Sequence, residues 1–457
     1  MNSNLNIVIL AAGAGTRMKS ALPKVLHKLA GKSMLSHVIE TAKELLPSKM
    51  CVVIGHGGEH VKETIGDDEI IWVTQEEQKG TGHAVLQALP HLDETGSTLI
   101  LYGDVPMIRT ETLREIVQNG AGNHCVLLTT ELADPHGYGR IIRNAESRGI
   151  ESIVEQKDAD ETQRAIKEIN TGIMLIPNQN LRHWLPNLKD NNKQEEYYLT
   201  DVIKMAVDGG IPVIASHPEN NWEVYGVNSR GQLAELERIY QIEYANRLLA
   251  DGVTLIDPSR IDIRGHLNCG IDVEIDVNCV FEGKVELGDG VKVKANCVLK
   301  DVTVLDGTVI EPFSYIVDSE IGKHCKIGPY ARIRPETKLS DKVHIGNFVE
   351  VKKSSIATGS KVNHLSYIGD TEMGQNVNIG AGTITCNYDG AYKHKTVIED
   401  NVFVGSDTQL VAPVKVSYGS TIGAGSTITK ETPANELTLS RSKQVTLSGW
   451  KRPTKNK

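Results

Sequence analysis

The stretch IGKHCKIGPYARIRPETKLSDKVHIGNFVEV, residues 321–351, decides the fold. Every sixth residue in it is aliphatic: Ile321, Ile327, Ile333, Leu339, Ile345 and Val351. The same period runs earlier through Ile275, Phe281, Leu287, Val293, Leu299 and Leu305, then through Ile310 and Ile316 after a one-residue slip. It returns as Val404, Leu410, Val416, Ile422 and Ile428. Small residues often follow the aliphatic one, as in Ile327-Gly328, Ile345-Gly346 and Ile422-Gly423. A helix repeats near every 3.6 residues and a half-buried strand at every second, so neither produces a period of six. A hexapeptide parallel β-helix does. Each aliphatic side chain then points inward from one face of a triangular coil, and coils stack at roughly 4.8 Å, the spacing of hydrogen-bonded strands. At about 18 residues per coil this gives on the order of ten coils. Two interruptions stand out. The period lapses around Ile356–Gly369, at Asn363-His364-Leu365-Ser366-Tyr367, and Cys386–Lys395 cannot fit a coil and is expected to loop outward.

With 457 residues the chain is too long for one core, so two or three domains are expected. A formal charge of −9 argues against a general nucleic-acid partner, and anionic ligands need local basic sites. The seven cysteines show no CxxC spacing, which points to a reducing cytoplasm. No signal peptide precedes the strand-like Ile7-Val8-Ile9-Leu10, and no 18-residue apolar run offers a membrane span.

The first half alternates strand-like and helical runs. Ile7–Leu10, Met50–Ile54, Ile70–Val73, Thr98–Tyr102, Val126–Thr129 and Thr171–Ile176 read as strands; Leu35–Leu45, Ala84–Leu89 and Thr110–Asn119 read as helices. This is an α/β pattern with ligands expected at the carboxyl ends of the strands. The first strand opens into Leu10-Ala11-Ala12-Gly13-Ala14-Gly15-Thr16-Arg17-Met18, followed by Leu22-Pro23-Lys24. Small residues let consecutive amide N–H groups cradle phosphate. No Gly-Lys-Ser/Thr follows, and Met18 stands where a dinucleotide fingerprint needs a third glycine. Arg17 and Lys24 close behind favour anion binding over a plain tight turn. L-A-A-G-x-G-T-R-M followed by P-K resembles the signature of nucleotidyltransferases that make sugar nucleotides.

That resemblance implies a Rossmann-like, mostly parallel sheet and a uridine-nucleotide site. Leu10, Ala11, Ala12, Gly13 and Lys24 then hold the nucleotide, and Gln75, Gly80 and Thr81 read the uracil edge. Tyr102, Gly103, Asp104, Gly139, Glu155, Asn170 and Asn228 complete the UTP and sugar-nucleotide site. Arg17 and Lys24 carry the catalytic charge, while Asp104 and Asn228 hold Mg²⁺. An Asp at a strand's carboxyl end suits a hard cation, yet it equally suits an Asx-turn. Asn228, just before the amphipathic run Gln232–Leu249, equally suits an N-cap. That run ends at Asp251-Gly252 and reads as a rigid arm between two domains.

Across residues from about Ile7 to Lys457 the chain resembles the bacterial bifunctional N-acetylglucosamine-1-phosphate uridyltransferases/glucosamine-1-phosphate N-acetyltransferases. The segments N-H-L-S-Y-I-G-D from Asn363 and G-A-G-T-I-T-C-N-Y-D-G from Gly380 carry the likeness in the second half. It implies a sugar-nucleotide pyrophosphorylase domain over 1–229, a linker helix over 230–251, and a left-handed β-helix acetyltransferase domain with a tail over 252–457. It implies two reactions that supply cell-wall precursors. Acetyl-CoA acetylates glucosamine 1-phosphate; then UTP and N-acetylglucosamine 1-phosphate give UDP-N-acetylglucosamine and pyrophosphate. His364 becomes the general base, a task imidazole suits near neutrality, although a lone histidine is more often structural. Arg334, Lys352, Tyr367 and Asn378 hold the sugar phosphate, with Lys353 left on a solvated face. Ala381, Asn387, Tyr388, Ser406, Ala424 and Arg441 hold acetyl-CoA, Cys386 is structural, and the stem forms a homotrimer. Two readings compete: a single-activity pyrophosphorylase whose coil only oligomerises, and a non-catalytic nucleotide-sugar sensor.

Overall fold

Residues 5–11 are buried at every position, which a central strand packed on both faces requires and a half-exposed one forbids. The computed structural model describes residues 4–13 and 15–455. It divides into two units, Met1–Tyr240 and Gln241–Lys457.

In the first unit the main strands are β1 (Leu5–Ala11), β2 (Lys49–Ile54), β3 (Ile71–Thr74), β4 (Ser97–Tyr102), β5 (Cys125–Glu131), β6 (Gly139–Arg143), β7 (Ile150–Val154), β8 (Glu168–Pro177) and β9 (Val213–Ser216). Their order is β9-β5-β8-β4-β1-β2-β3, with β6 joining β8 to β7. Along the main path only β8 runs antiparallel to its neighbours. Alternate residues feed two cores. Ile7 and Ile9 join Val52, Leu99 and Leu175 in one; Val8 and Leu10 join Val53, Ile100 and Met174 in the other. The chain moves from β1 outward to β2 and β3, then returns to place β4 on the opposite side of β1. The crevice beyond the ends of β1 and β4 is therefore the topological switch point where such sheets bind ligands.

The second unit is the stack of parallel coils that the six-residue period predicts. One face is an 11-stranded ladder from Thr254–Leu255 to Leu437–Thr438, and the other two faces share a 15-stranded sheet. Register partners lie about one coil apart, as Ile327↔Ile345, Ile345↔Val362 and Val362↔Ile379. The inward side chains form one continuous core from Ala245 to Ile428.

Two details of the period need correction. Leu305 is 40% exposed, while Val304 is buried and pairs with Ile321, so the slip falls between Leu299 and Val304. Nor does the period lapse near Ile356. Ile356, Val362 and Ile368 are all core residues, reached by a five-residue step from Val351. The segment holding His364 is thus an ordinary rung. The Cys386–Lys395 segment does leave the coil, with Tyr388 to Lys393 exposed between strands Ile384–Cys386 and Thr396–Ile398.

One corner column uses left-handed backbone: Asn278, Asn296, Phe313, Tyr330, Phe348 and Leu365 have φ between 48° and 63°. Non-glycine residues there cost about 1–2 kcal/mol each. Hydrogen bonds to the preceding coil hold them, as Tyr330 N–H to the Pro312 carbonyl at 3.1 Å. Phe313, Tyr330 and Phe348 stack outside the coil with ring centroids 4.9 and 5.2 Å apart.

The helix Arg230–Ala250 contributes residues to both units. In the second, Gln241 is buried; its amide donates to the Ile263 carbonyl at 2.9 Å and accepts from the Ile263 N–H at 2.8 Å. The Tyr244 hydroxyl accepts from Leu267 N–H at 3.1 Å. Helix side chains thereby satisfy the outer edge of strand Ile261–Cys269, which no earlier coil covers.

Candidate active sites

The head site grows from the carboxyl ends of β1 and β4. Gly103 N–H donates to the Leu10 carbonyl at 3.0 Å, tying the two ends together. The turn after β1 then needs Gly15. Its φ is 60°, and an added Cβ would lie 2.6 Å from Lys24 Cβ. The backbone carbonyl of Asp104 accepts from Val227 N–H at 2.9 Å, which brings Asn228 alongside. Lys24 Nζ donates to both the Asp104 carboxylate and the Asn228 amide oxygen, the latter at 3.1 Å. The N-cap reading of Asn228 fails. Asp104 is engaged by a cation, and the helix N-cap is Ser229, whose hydroxyl accepts from Gln232 N–H at 3.3 Å.

A cavity of ≈330 Å³ opens here, lined by Leu10, Ala11, Ala12, Gly13, Lys24, Gln75, Gly80, Thr81, Tyr102 and Asp104. A second cleft of ≈220 Å³ shares Tyr102 and Asp104 and adds Arg17 and Asn228. Gln75 is buried, its amide placed between the Gly80 carbonyl at 3.1 Å and His83 Nδ1 at 3.0 Å. Gly139, Glu155 and Asn170 line neither space but sit together behind it: Gly139 pairs with Asn170, and a Cβ on Gly139 would lie 3.3 Å from Glu155 Oε1. Desolvation raises the Glu155 pKa, opposed by a hydrogen bond from Thr200, with the Asp158, Asp201 and Glu196 carboxylates adding to the rise. Sequence reasoning missed Gln78, whose amide donates to the Ala12 carbonyl at 2.6 Å, and Gln232 in the second cleft, where Tyr138 and Thr171, both within the segments matched to the sugar and ribose, also lie. Gln78 lies in the same polar segment as Gln75, a signal that was available.

The stem site is ordered by register. Asn347, His364, Ala381, Ser406 and Ala424 each precede a corner residue of positive φ: Phe348, Leu365, Gly382, Asp407 and Gly425. Leu365 N–H donates to the Asn347 carbonyl, Gly382 to His364, Asp407 to Ala381 and Gly425 to Ser406, at 3.1, 3.3, 2.7 and 2.8 Å. These five residues therefore form one vertical column, in which His364 and Ala424 are about 14 Å apart at one strand spacing per coil. Arg441 donates to the Ala424 carbonyl at 2.8 Å and closes its far end.

Beside the column, Glu350 pairs with Tyr367 in register and accepts from Arg334 at 2.7 Å. Lys352 lies two residues on, opposite Gly369, and Asn378 opposite Lys361. Lys353 instead pairs with Glu336 at 3.4 Å. Asn387 is buried and donates to Asp370 and, at 3.4 Å, to the Tyr367 hydroxyl. Tyr388 begins the outward loop, which is braced by Lys393 over the Tyr388 ring at 4.2 Å and by Asp389 to His394 at 2.6 Å. Burial raises the Cys386 thiol pKa, which leaves it a poor nucleophile. Sequence reasoning missed Asn347 and Glu350 and gave no role to Asp370, the last residue of the N-H-L-S-Y-I-G-D segment; their contacts appear only once the coils are in register.

Fold and sites together define a nucleotidyltransferase head carried with a hexapeptide-repeat transferase stem. Residues 7–170 match a MobA-like NTP transferase domain, 263–345 a GMPPB C-terminal domain, and 395–430 a hexapeptide repeat of succinyl-transferase. Three curated proteins called "Bifunctional protein GlmU" are similar over 99% of this chain. That of Nitrosospira multiformis is 62% identical over 98% of its own length, that of Nitrosomonas europaea 61% over 99%, and that of Ralstonia nicotianae 58% over 99%. The chain belongs to this bifunctional GlmU family. It is a uridyltransferase and acetyltransferase of UDP-N-acetylglucosamine synthesis, so the single-activity and sensor readings fall away. Its parallel coils and hexapeptide repeats are those of a left-handed β-helix. Among the described residues no helix is long and apolar enough to cross a membrane.

Proposed function

We propose that each chemistry belongs to one unit: uridyl transfer to the Lys24–Asp104–Asn228 site and acetyl transfer to the His364 column. The observation that carries the first is the convergence of a carboxylate and an amide oxygen on the Lys24 ammonium at the sheet's switch point. Two hard oxygen donors that already attract one cation fit Mg²⁺, which takes few protein ligands and completes its shell with water and phosphate. When bound there, Mg²⁺ neutralises phosphate charge and orients the triphosphate. The attacking group is a phosphate oxygen, already anionic, so this site needs no strong base. Arg17 and Lys24 offset charge on the triphosphate and leaving pyrophosphate, Gln75 presents its amide to the base, and Gly139, Glu155 and Asn170 hold the sugar and ribose.

In the stem, His364 takes a proton from the amine of glucosamine 1-phosphate as its nitrogen attacks the thioester carbonyl. The tetrahedral intermediate then expels the CoA thiolate, and no acyl-enzyme forms. Arg334 and Lys352 neutralise the sugar phosphate, and Tyr367 and Asn378 fix the ring. The coenzyme lies along the column past Ala381, Ser406 and Ala424, with Asn387, Tyr388 and Arg441 beside it. A backbone N–H aimed at the developing oxyanion contributes a few kcal/mol, about 3. The exposed Phe313–Tyr330–Phe348 stack supports a self-associating stem, a homotrimer in the cytoplasm. The test is an Asp104→Ala protein given all four substrates. Pyrophosphate release should fall on the order of a hundredfold while CoA release stays unchanged. Undiminished pyrophosphate release would remove Asp104 from the metal site.

A further inference from the structure

The stem column is apolar in its early coils, with Val277, Ala295, Pro312 and Pro329 preceding the corner residues. It turns polar at one rung, Asn347, directly beneath His364. Asn347 and His364 are register partners, and the Asn347 amide oxygen lies 2.7 Å from His364 Nδ1. Gly346 makes the approach possible, because a Cβ there would collide with the Asn363 backbone of the next coil. Both backbones are pinned as well: Leu365 N–H donates to the Asn347 carbonyl and Gly382 N–H to the His364 carbonyl. An amide oxygen can only accept, so in the neutral ring the proton sits on Nδ1 and Nε2 keeps its lone pair. Among the described residues no side-chain partner is recorded for Nε2.

We propose that Asn347 is the positioning residue of acetyl transfer, fixing His364 in the Nδ1–H tautomer so that Nε2 receives the proton of the substrate amine. This rests on His364 being the base. A neutral amide suits the task, because a carboxylate in its place would favour imidazolium and leave less of the free base at neutral pH. His344 lies on the strand of Asn347 and interacts with His364, and Lys326, Lys361 and Glu311 act on His344 in turn. They remain in every variant, so differences between variants report position 347.

The experiment measures acetyl transfer by CoA release against pH for wild type, Asn347→Ala, Asn347→Asp and His364→Ala, with thermal melts alongside. Asn347→Ala should lower kcat on the order of tenfold to a hundredfold with little change in either KM. Asn347→Asp should move the acidic limb of the kcat/KM profile to higher pH by about one unit, as an adjacent carboxylate raises an imidazole pKa. A folded Asn347→Asp protein with the wild-type limb overturns the proposal, even if Asn347→Ala fails to fold. Retained acetyl transfer in His364→Ala overturns the base itself. Loss in His364→Ala together with wild-type behaviour in both Asn347 variants overturns only the positioning role.

Discussion

The head and the stem assemble their sites by opposite means. In the head, residues from Leu10 to Asn228 come from many separate segments and meet because strands end at one crevice. In the stem, the column residues are about one coil apart in sequence and meet because each coil repeats the last. A head residue is placed by topology and a stem residue by register. Substitutions in the head should therefore act locally, whereas in the stem a lost inward side chain should disturb the rungs above and below.

The sharpest break in this comparison is His364→Ala. Acetyl transfer should fall by about 10²–10⁴-fold, the usual contribution of a general base, with uridyl transfer untouched. Loss of both activities in a folded protein would end the idea of two self-contained sites. Next in size is Ile345→Ala, which empties a fully buried position between Ile327 and Val362. It should cost about 2–5 kcal/mol, visible as an earlier melting transition of the stem. A melt within a degree of wild type would mean the rungs are not coupled. Gly15→Ala should destabilise by about 1–2 kcal/mol through its left-handed φ. By displacing Lys24 it should also slow uridyl transfer by about tenfold or more, and acetyl transfer at the wild-type rate is the control.

The smallest effect concerns Glu155. Its folded pKa lies above the unfolded value, mainly through desolvation, so the folded form keeps its proton as pH rises past the point where the unfolded chain releases it. Stability contributed by that proton is present below about pH 4 and lost as pH rises through the raised pKa. Glu155→Gln should thus melt like wild type at acid pH and slightly above it at neutral pH. A difference independent of pH would refute the assignment.

What could be read before the structure follows the same division. The period of the stem was legible because an inward position recurs with every turn of chain, and only its short steps misled. A five-residue step from Val351 to Ile356 looks like a break when the eye counts in sixes, although the corner simply uses one residue fewer. In the head, β1, β2 and β4 announced themselves as apolar runs. β6, β7 and β9 did not: charged residues interrupt β6 and β7, where Arg140 is buried despite its charge, and β9 is only partly buried. Site residues were found where a motif gathers them, as at Leu10 to Lys24. Those that act across coils, such as Asn347 and Glu350, carry no local signature and needed the alignment of neighbouring rungs.

The paired hydrogen bonds between Gln241 and Ile263 have a consequence for the fate of this protein in a crowded solution. A ladder of identical spacing could lengthen without limit by recruiting further chains, as fibrils do. Here a helix glutamine imitates a peptide group and terminates the series, so the number of rungs is counted within one polypeptide and the first strand offers no template for growth.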